Sequence, residues 1–228
     1  MQHTIHQIFF RFNGNEFRDY PVFVASHNAF KRMRGWRYKL WNEQDVEQLC
    51  RAQYPGLLKT YSGLTYDIQR VDIAKYLIAD SLGGVVVDLD VMPLTHISNI
   101  VADRPYVFDR CSRKGVVAND FFYVAPGQGL PGLVDYFKAN LERVGAIPVY
   151  EQRKMRYVFH TTGPDFFTRY LKRAGLREYV QALSNRSFLD QRQSHRHIRS
   201  PAPKLDIVHH LSWVPQLHTA GRDCSRTA

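Results

Sequence analysis

Cysteine is scarce. Cys50, Cys111 and Cys224 are widely scattered, which gives neither a disulfide framework nor a CxxC metal site. That pattern fits a reducing cytosol, so a cytoplasmic protein is expected, with peripheral contact to a membrane as an option. Long apolar runs are missing too. The run Val85 to Val87 falls far short of the roughly 20 residues that span a bilayer, so no transmembrane helix is expected. The start, MQHTIHQIFFRF, has no basic leader and no small-residue cleavage site, and it reads as a first strand rather than a signal peptide. Acidic residues are outnumbered, 21 against 31 Lys and Arg, for a net charge of +10. Such a surface attracts nucleic acid, an anionic membrane or a phosphate-bearing small molecule. Much of the excess lies in KRMRGWRYK (31–39), RKMR (153–156) and QRQSHRHIRSPAPK (191–204). No zinc finger, RNP or helix-turn-helix pattern accompanies it, which argues against nucleic acid, and a solvated basic face is the plain alternative. Internal repeats are absent.

What is present is enough for a core. With 44% hydrophobic and 13% aromatic residues, the chain is expected to form one domain over 1–228, with a basic loop at about 191–204 and a loose tail at about 218–228. The elements alternate. Ile5 to Phe10 and Val22 to Ser26 read as strands, Glu43 to Tyr54 as a helix stopped by Pro55 and Gly56, and Ile68 to Leu82 as an amphipathic helix stopped by Gly83 and Gly84. In that helix Asp72, Lys75 and Tyr76 share a face beside the apolar stripe. Val85 to Val87 then reads as a strand covered on both faces. Further strands are expected at Pro105 to Phe108, Phe121 to Val124 and Leu205 to Val208, and helices at Leu133 to Val144 and from Pro164 to near Gly175. This is an α/β pattern with a mostly parallel sheet.

Asp88 and Asp90 emerge at the carboxyl end of the Val85 to Val87 strand, where ligands of open α/β sheets bind. Two carboxylates there can hold Mn²⁺ or Mg²⁺ against a diphosphate. As residues i and i+2 of an extended segment they would point the same way. A bare DxD usually marks a solvated loop; the helix, glycine pair and strand before it raise its weight.

The stretch RVDIAKYLIADSLGGVVVDLDVMPL resembles the DxD sugar-binding region of glycosyltransferase family 32, the group with the yeast initiating α-1,6-mannosyltransferase, and of the related glycosylating toxins. That region typically reads RxDxxRYxxLxxxGGxYxDxDxxxL. IHQIFF, YKLWNEQD, TTGPDFF and HHLSW are similar to further segments of the family. The resemblance implies a GT-A fold with a Rossmann-like sheet flanked by helices. It also implies metal-dependent transfer of a hexose from a nucleotide diphosphate sugar to a saccharide or glycoconjugate, with retention.

By position, Asp72 would contact donor-sugar hydroxyls, Asp88 the ribose or sugar as well as the cation, and Asp90 the cation. Lys75 stands where the family has arginine, and Val86 where it has tyrosine. Lys75 keeps a charge for sugar or phosphate but loses the planar fork. His6, Gln7, Ile8 and Phe9 would line the nucleotide base and Trp41 would stack on it; a buried strand and core tryptophan is the structural alternative. His209 would be a third metal ligand, with His210 as the fallback, and Ser212 and Trp213 would touch the diphosphate. Asp120 is the best candidate for an acceptor-side catalytic carboxylate, against a plain polar residue in a turn before a strand. A second reading, suggested by the charge of +10 and by Lys75 and Val86, is a catalytically inactive protein on a GT-A scaffold that binds nucleic acid or a membrane surface.

Overall fold

The structure, a computed structural model, describes residues 3–11, 14, 16–111, 113–145 and 153–183. Its centre is a six-stranded sheet of β1 (Thr4–Ile8), β2 (Arg37–Trp41), β3 (Gly84–Val87), β4 (Tyr106–Arg110), β5 (Val117–Val124) and β6 (Val180–Gln181), in the order β2-β1-β3-β5-β4-β6. β1 pairs in parallel with β2 and β3, and β4 with β6. β5 is antiparallel to both of its neighbours, so the other five strands point one way and β5 alone runs back. Its first residues therefore lie at the rim where β3 ends.

Alternation along the strands, interrupted by a register shift between Phe108 and Arg110, divides the core. Val86, Phe108, Phe122 and Val124 face one side, with Tyr76, Phe137, Phe166, Phe167 and Tyr170. Ile5, Val85, Val87, Val107, Phe121 and Tyr123 face the other, with Phe30, Ile97 and Val101. The first side is covered by α2 (Glu43–Gln53), α3 (Leu58–Ser62), α4 (Asp67–Leu82), α6 (Leu133–Gly145) and α8 (Pro164–Arg173), with α7 (Lys154–Thr161) packed outside them against α4, α6 and α8. The second is covered by α1 (Pro21–Lys31) and the short α5 (Ser98–Val101). Such α/β/α layering is what continuously apolar, parallel strands require.

Three expectations are corrected. Val22 to Ser26 lies in a helix, α1, because Pro21 occupies its first turn and Phe23, Ser26 and Phe30 bury at helical spacing. Helix α4 is buried nearly all round through Val71 to Ala79 rather than along one stripe, since α2, α3 and α7 cover the side turned away from the sheet. Asp120 is inside strand β5 and not in a turn before it; the strand begins three residues earlier, at Val117. Of the basic stretch KRMRGWRYK, Lys31 ends α1, Arg37 to Lys39 lie in β2 and the residues between form the connecting turn, while RKMR opens helix α7. The expected strand at 205–208, the basic loop and the tail lie outside the described residues.

The glycine pair after α4 has a steric cause. Gly84 has φ +93°, and a Cβ there would stand 2.3 Å from the Thr4 carbonyl oxygen. At Gly83, φ +65°, it would stand 2.6 Å from the Pro126 Cα. Only a residue without a side chain turns α4 into β3 at this distance from β1.

Candidate functional site

Strand β3 ends at Val87, and residues Asp88 to Val91 form a turn closed by a hydrogen bond from Val91 N to Asp88 O (3.2 Å). The two aspartates are thus on a turn rather than on an extended segment. Asp88 N donates to Asp120 O (2.8 Å), which ties the turn to the reversed strand. Two buried side chains hold its first and last carbonyls. Gln7 Nε2 donates to Asp88 O (3.2 Å) and to Ser26 Oγ (2.9 Å), and Ser26 Oγ donates to Val91 O (2.5 Å). Gln7 Oε1 in turn accepts from the Tyr38 hydroxyl (2.8 Å), whose oxygen accepts from His27 Nδ1 (2.7 Å). The order of donors is fixed from His27 through Tyr38, Gln7 and Ser26 to the turn, so β1, β2 and α1 set its shape together.

Lys75 is the cation of the site. It is 4% exposed, and its Nζ lies 2.6 Å from Asp88 Oδ1 and 3.5 Å from Asp72 Oδ1. Burial alone would lower its pKa; Asp88, Asp72 and Asp120 outweigh burial and the net shift is upward, so the ammonium stays charged. Asp72 is 5% exposed and held by Asn119 Nδ2 (2.9 Å) and Thr162 Oγ1 (3.1 Å). Burial, followed by the repulsion of Asp88, raises its pKa to about 6 although Lys75, Thr162 and Asn119 pull it down. Tyr76 completes this layer: its hydroxyl donates to Thr162 O (2.8 Å) and accepts from Asn119 Nδ2 (3.0 Å). The shared face of Asp72, Lys75 and Tyr76 read from the sequence is therefore a real contact surface, turned inward.

Asp90 has a pKa well above the usual carboxylate range, first from burial and then from Asp88 and Asp120. Three carboxylates thus feel one another at this rim, with Lys75 beside them. The Asp88 side chain is the more open, at 29% exposure, while Asp90 and Asp120 are buried at 9% and 8%. Among the described residues no three His, Cys, Asp or Glu side chains are already gathered around a metal-sized space. The oxygen donors do suit a hard divalent cation, which would relieve the mutual repulsion of Asp88, Asp90 and Asp120.

Most of the first-strand residues are buried. His6 is 2% exposed; Trp41 Nε1 donates to its Nδ1 (3.0 Å), so His6 carries its hydrogen on Nε2 and donates to Gly83 O (3.1 Å). Burial, against the bond to Gly83, lowers its pKa to about 4. Trp41 is 3% exposed, with Lys39 Nζ 3.6 Å from its ring centroid. Ile8 is buried, and Phe9, half-buried, packs on Phe17 and Tyr20. Asn42 caps α2 by accepting from Asp45 N (2.9 Å). Val86 faces the core beside Phe122, so its exchange for a tyrosine alters packing there. His209, His210, Ser212 and Trp213 lie outside the described residues. Ser26, Tyr38, Asn119 and Thr162 carry no mark of their role in the sequence; Asn119 and Thr162 stand inside the stretches AND and TTGP, which hint at a turn but not at a partner.

Residues 19–107 match the family model described as the glycosyltransferase sugar-binding region containing the DXD motif. The match spans less than half of the chain. Its DXD region includes α4, the glycine pair and the Asp88–Val91 turn. Inositol phosphoceramide mannosyltransferase 3 of Schizosaccharomyces pombe is 34% identical over 56 residues, 25% of this chain and 16% of that protein. Inositol phosphoceramide mannosyltransferase 1 of the same yeast is 25% identical over 92 residues, 40% of this chain and 28% of that protein. The chain thus matches less than a third of the length of these curated relatives. Among solved structures, the PaToxG glycosyltransferase superposes with a TM-score of 0.50 at 14% identity, covering 75% of this chain and 69% of the other. That likeness is one of fold, and the fold is GT-A: a mixed, mostly parallel sheet flanked by helices.

Proposed function

We propose that the protein is a metal-dependent glycosyltransferase that moves a hexose from a nucleotide diphosphate sugar to a saccharide or glycoconjugate acceptor, with retention. The observation that carries this reading is the charge arrangement at the end of β3. Asp88 is held by the buried Lys75 at 2.6 Å, while Asp90 and Asp120 crowd beside it with the Asp90 pKa driven upward. Repelling carboxylates on a braced turn are stable when a cation joins them.

In this reading Asp90 and Asp88 hold Mn²⁺ or Mg²⁺. The ion would offset the negative charge that builds on the leaving diphosphate. Lys75 keeps Asp88 aimed at the rim, and Asp72, fixed by Asn119 and Thr162, keeps Lys75 in place as a positioning residue. Asp120, at the rim end of β5, stands on the acceptor side, where it orients the incoming hydroxyl or the transferred sugar. Gln7 and Ser26 hold the turn from below rather than touching the base. His209 or His210 is assigned to the cation, and Ser212 and Trp213 to the diphosphate, by family position. The names of the two yeast relatives make mannose the first sugar to test and an inositol phospholipid the first acceptor.

The test is hydrolysis of a panel of nucleotide diphosphate sugars, with and without Mn²⁺, by the wild type and by Asp90→Asn. The wild type is expected to release nucleotide only with metal, and Asp90→Asn to lose metal-dependent donor binding while keeping its unfolding midpoint. Full activity in Asp90→Asn removes Asp90 from the site. Salt-sensitive polyanion binding without any donor turnover would sink the transferase reading.

A further inference from the structure

A second charged centre stands away from the aspartates, at the junction of α6, α7 and α8. Arg143 on α6 and Arg169 on α8 both donate to one acceptor, Asn140 Oδ1, at 2.9 Å and 3.2 Å. Two guanidiniums are thereby set side by side on a neutral amide. Arg169 also donates to His160 O (2.7 Å), and its Nε is buried with no hydrogen-bond partner among the described residues. The Nε2 of His160, the penultimate residue of α7, lies 3.2 Å from Asp165 Oδ2. Arg113, from the loop between β4 and β5, pairs with the same carboxylate and remains 52% exposed. The His160 ring titrates below its ordinary value, first from partial burial and then from Arg169, Arg113, Arg156 and Arg143. A histidine beside a carboxylate would ordinarily rise, so burial and the four arginines together outweigh Asp165 there.

Such a centre is costly for a protein to assemble for its own sake. Arginines clustered with too few carboxylates repel one another, and the guanidinium fork matches the oxygens of a phosphate group. Arg143 and Arg156 are exposed, so an incoming group can reach them.

Position sharpens the chemistry. Val117 N, at the start of β5, donates to Thr168 Oγ1 on α8 (2.8 Å), and Thr162 donates to Asp72. The arginine centre therefore flanks the β5 and β4 half of the rim, next to the Asp88–Val91 turn but opposite the β1 and β2 half where the donor nucleotide is expected. What lies on that side of the transferred sugar is the acceptor.

We propose that Arg113, Arg143, Arg156 and Arg169, gathered around His160, form a binding site for a phosphodiester carried by the acceptor. This rests on the transferase reading for the word acceptor; the binding of the phosphodiester does not depend on it. The site would select acceptors whose saccharide or polyol hydroxyl is attached to a phosphodiester, and would hold that hydroxyl toward Asp120.

The test uses the full chain and needs no donor. Glycerophosphoinositol is titrated calorimetrically into the wild type, into Arg143→Ala/Arg156→Ala, and into Arg18→Ala/Arg51→Ala, a control that removes the same charge from exposed positions on other elements. Loss of two charge-assisted contacts is expected to weaken binding by about tenfold or more in the first variant and not in the control. Co-sedimentation with phosphatidylinositol vesicles, against phosphatidylcholine vesicles, distinguishes the source. Recruitment lost in the first variant assigns the phosphodiester to a lipid headgroup; binding of the soluble diester without recruitment assigns it to a soluble glycoconjugate, and either supports the site. Equal weakening in the control, undiminished binding in Arg143→Ala/Arg156→Ala, or no binding by the wild type overturns it. Diester binding as expected, in a protein that turns over no nucleotide sugar, leaves the site standing and removes the transferase reading instead.

Discussion

Replacing Gln7 with leucine removes three hydrogen bonds while keeping nearly the same volume, so the cost reflects stranded polar groups rather than a cavity. Gln7 is fully buried, and the groups left behind are the Asp88 carbonyl, the Ser26 hydroxyl oxygen and the Tyr38 hydroxyl. Each buried polar group without a partner costs about 1–3 kcal/mol. Ser26 still donates to Val91 O, Tyr38 is only half-buried and reaches water, and the Asp88 carbonyl keeps the bond from Val91 N, so the low end applies to all three. Gln7→Leu is therefore expected to lose about 2–4 kcal/mol, a large part of the roughly 5–15 kcal/mol of a typical domain, and to remain folded. The double-mutant cycle with Tyr38→Phe isolates the cause. With phenylalanine at 38 there is no hydroxyl for the new leucine side chain to strand, so the two changes together should cost about 1 kcal/mol less than their sum. Urea unfolding of the four proteins measures this, and amide exchange at Val91 reports whether the turn has loosened. Additivity within about 0.5 kcal/mol would show that Gln7 and Tyr38 do not act through their shared hydrogen bond, and the braced turn would lose its explanation.

Lys75→Met leaves Asp72 and Asp88 without their cation and is expected to cost about 3–5 kcal/mol near pH 7.5, and less at pH 5, where Asp72 takes up a proton; equal losses in urea at both pH values would contradict the pairing. His6 binds its proton at about 4 rather than 6.5, so the unfolded chain holds more protons between those values. Its contribution is full above pH 6.5 and disappears as the pH falls through about 4. Asp72, raised to about 6, works in the opposite sense over nearly the same window, so the readout is the difference between wild type and His6→Gln. That gap should widen by about 3 kcal/mol from about pH 4 to 6.5, and a gap independent of pH refutes the neutral, buried ring. Gly84→Ala drives a Cβ against the Thr4 oxygen and is expected to cost more than about 3 kcal/mol, whereas Gly115→Ala, with open space at φ +79°, should cost only about 1 kcal/mol; similar midpoints for the two variants would deny the close approach of β1 to β3.

The central segment is legible because its signals are local. Helix period, glycine stop and apolar strand follow one another within α4 and β3, and the GT-A resemblance rests on the same residues. Strand β2 shows no such signal because its edge position exposes or half-exposes Arg37 to Leu40, leaving only Trp41 buried and no apolar run. Helix α1 imitates a strand because Val22 to Val24 is β-branched and aromatic, a preference that packing of Phe23 and Phe30 overrides. The site divides along the same line. Asp88 and Asp90 announce themselves by spacing, but the groups that fix them come from far along the chain: Asn119 reaches Asp72 across 47 positions, Thr162 across 90, and Gln7 reaches Asp88 across 81. A sequence read window by window does not display such partners.

Strand β5 runs against its neighbours, and this gives the two sides of the rim different freedom to change. Asp88 is fixed from β1, β2 and α4, whereas Asp120 reaches the same rim on the incoming leg of a hairpin whose loop, from Cys111 to Val116, meets solvent at Arg113 to Gly115. Lengthening or rewriting that loop shifts the approach of Asp120 and Arg113 while the turn carrying Asp88 and Asp90 keeps its own braces. On the proposed transferase reading, new acceptors are explored by variation in one short hairpin, without disturbing the turn assigned to the donor side.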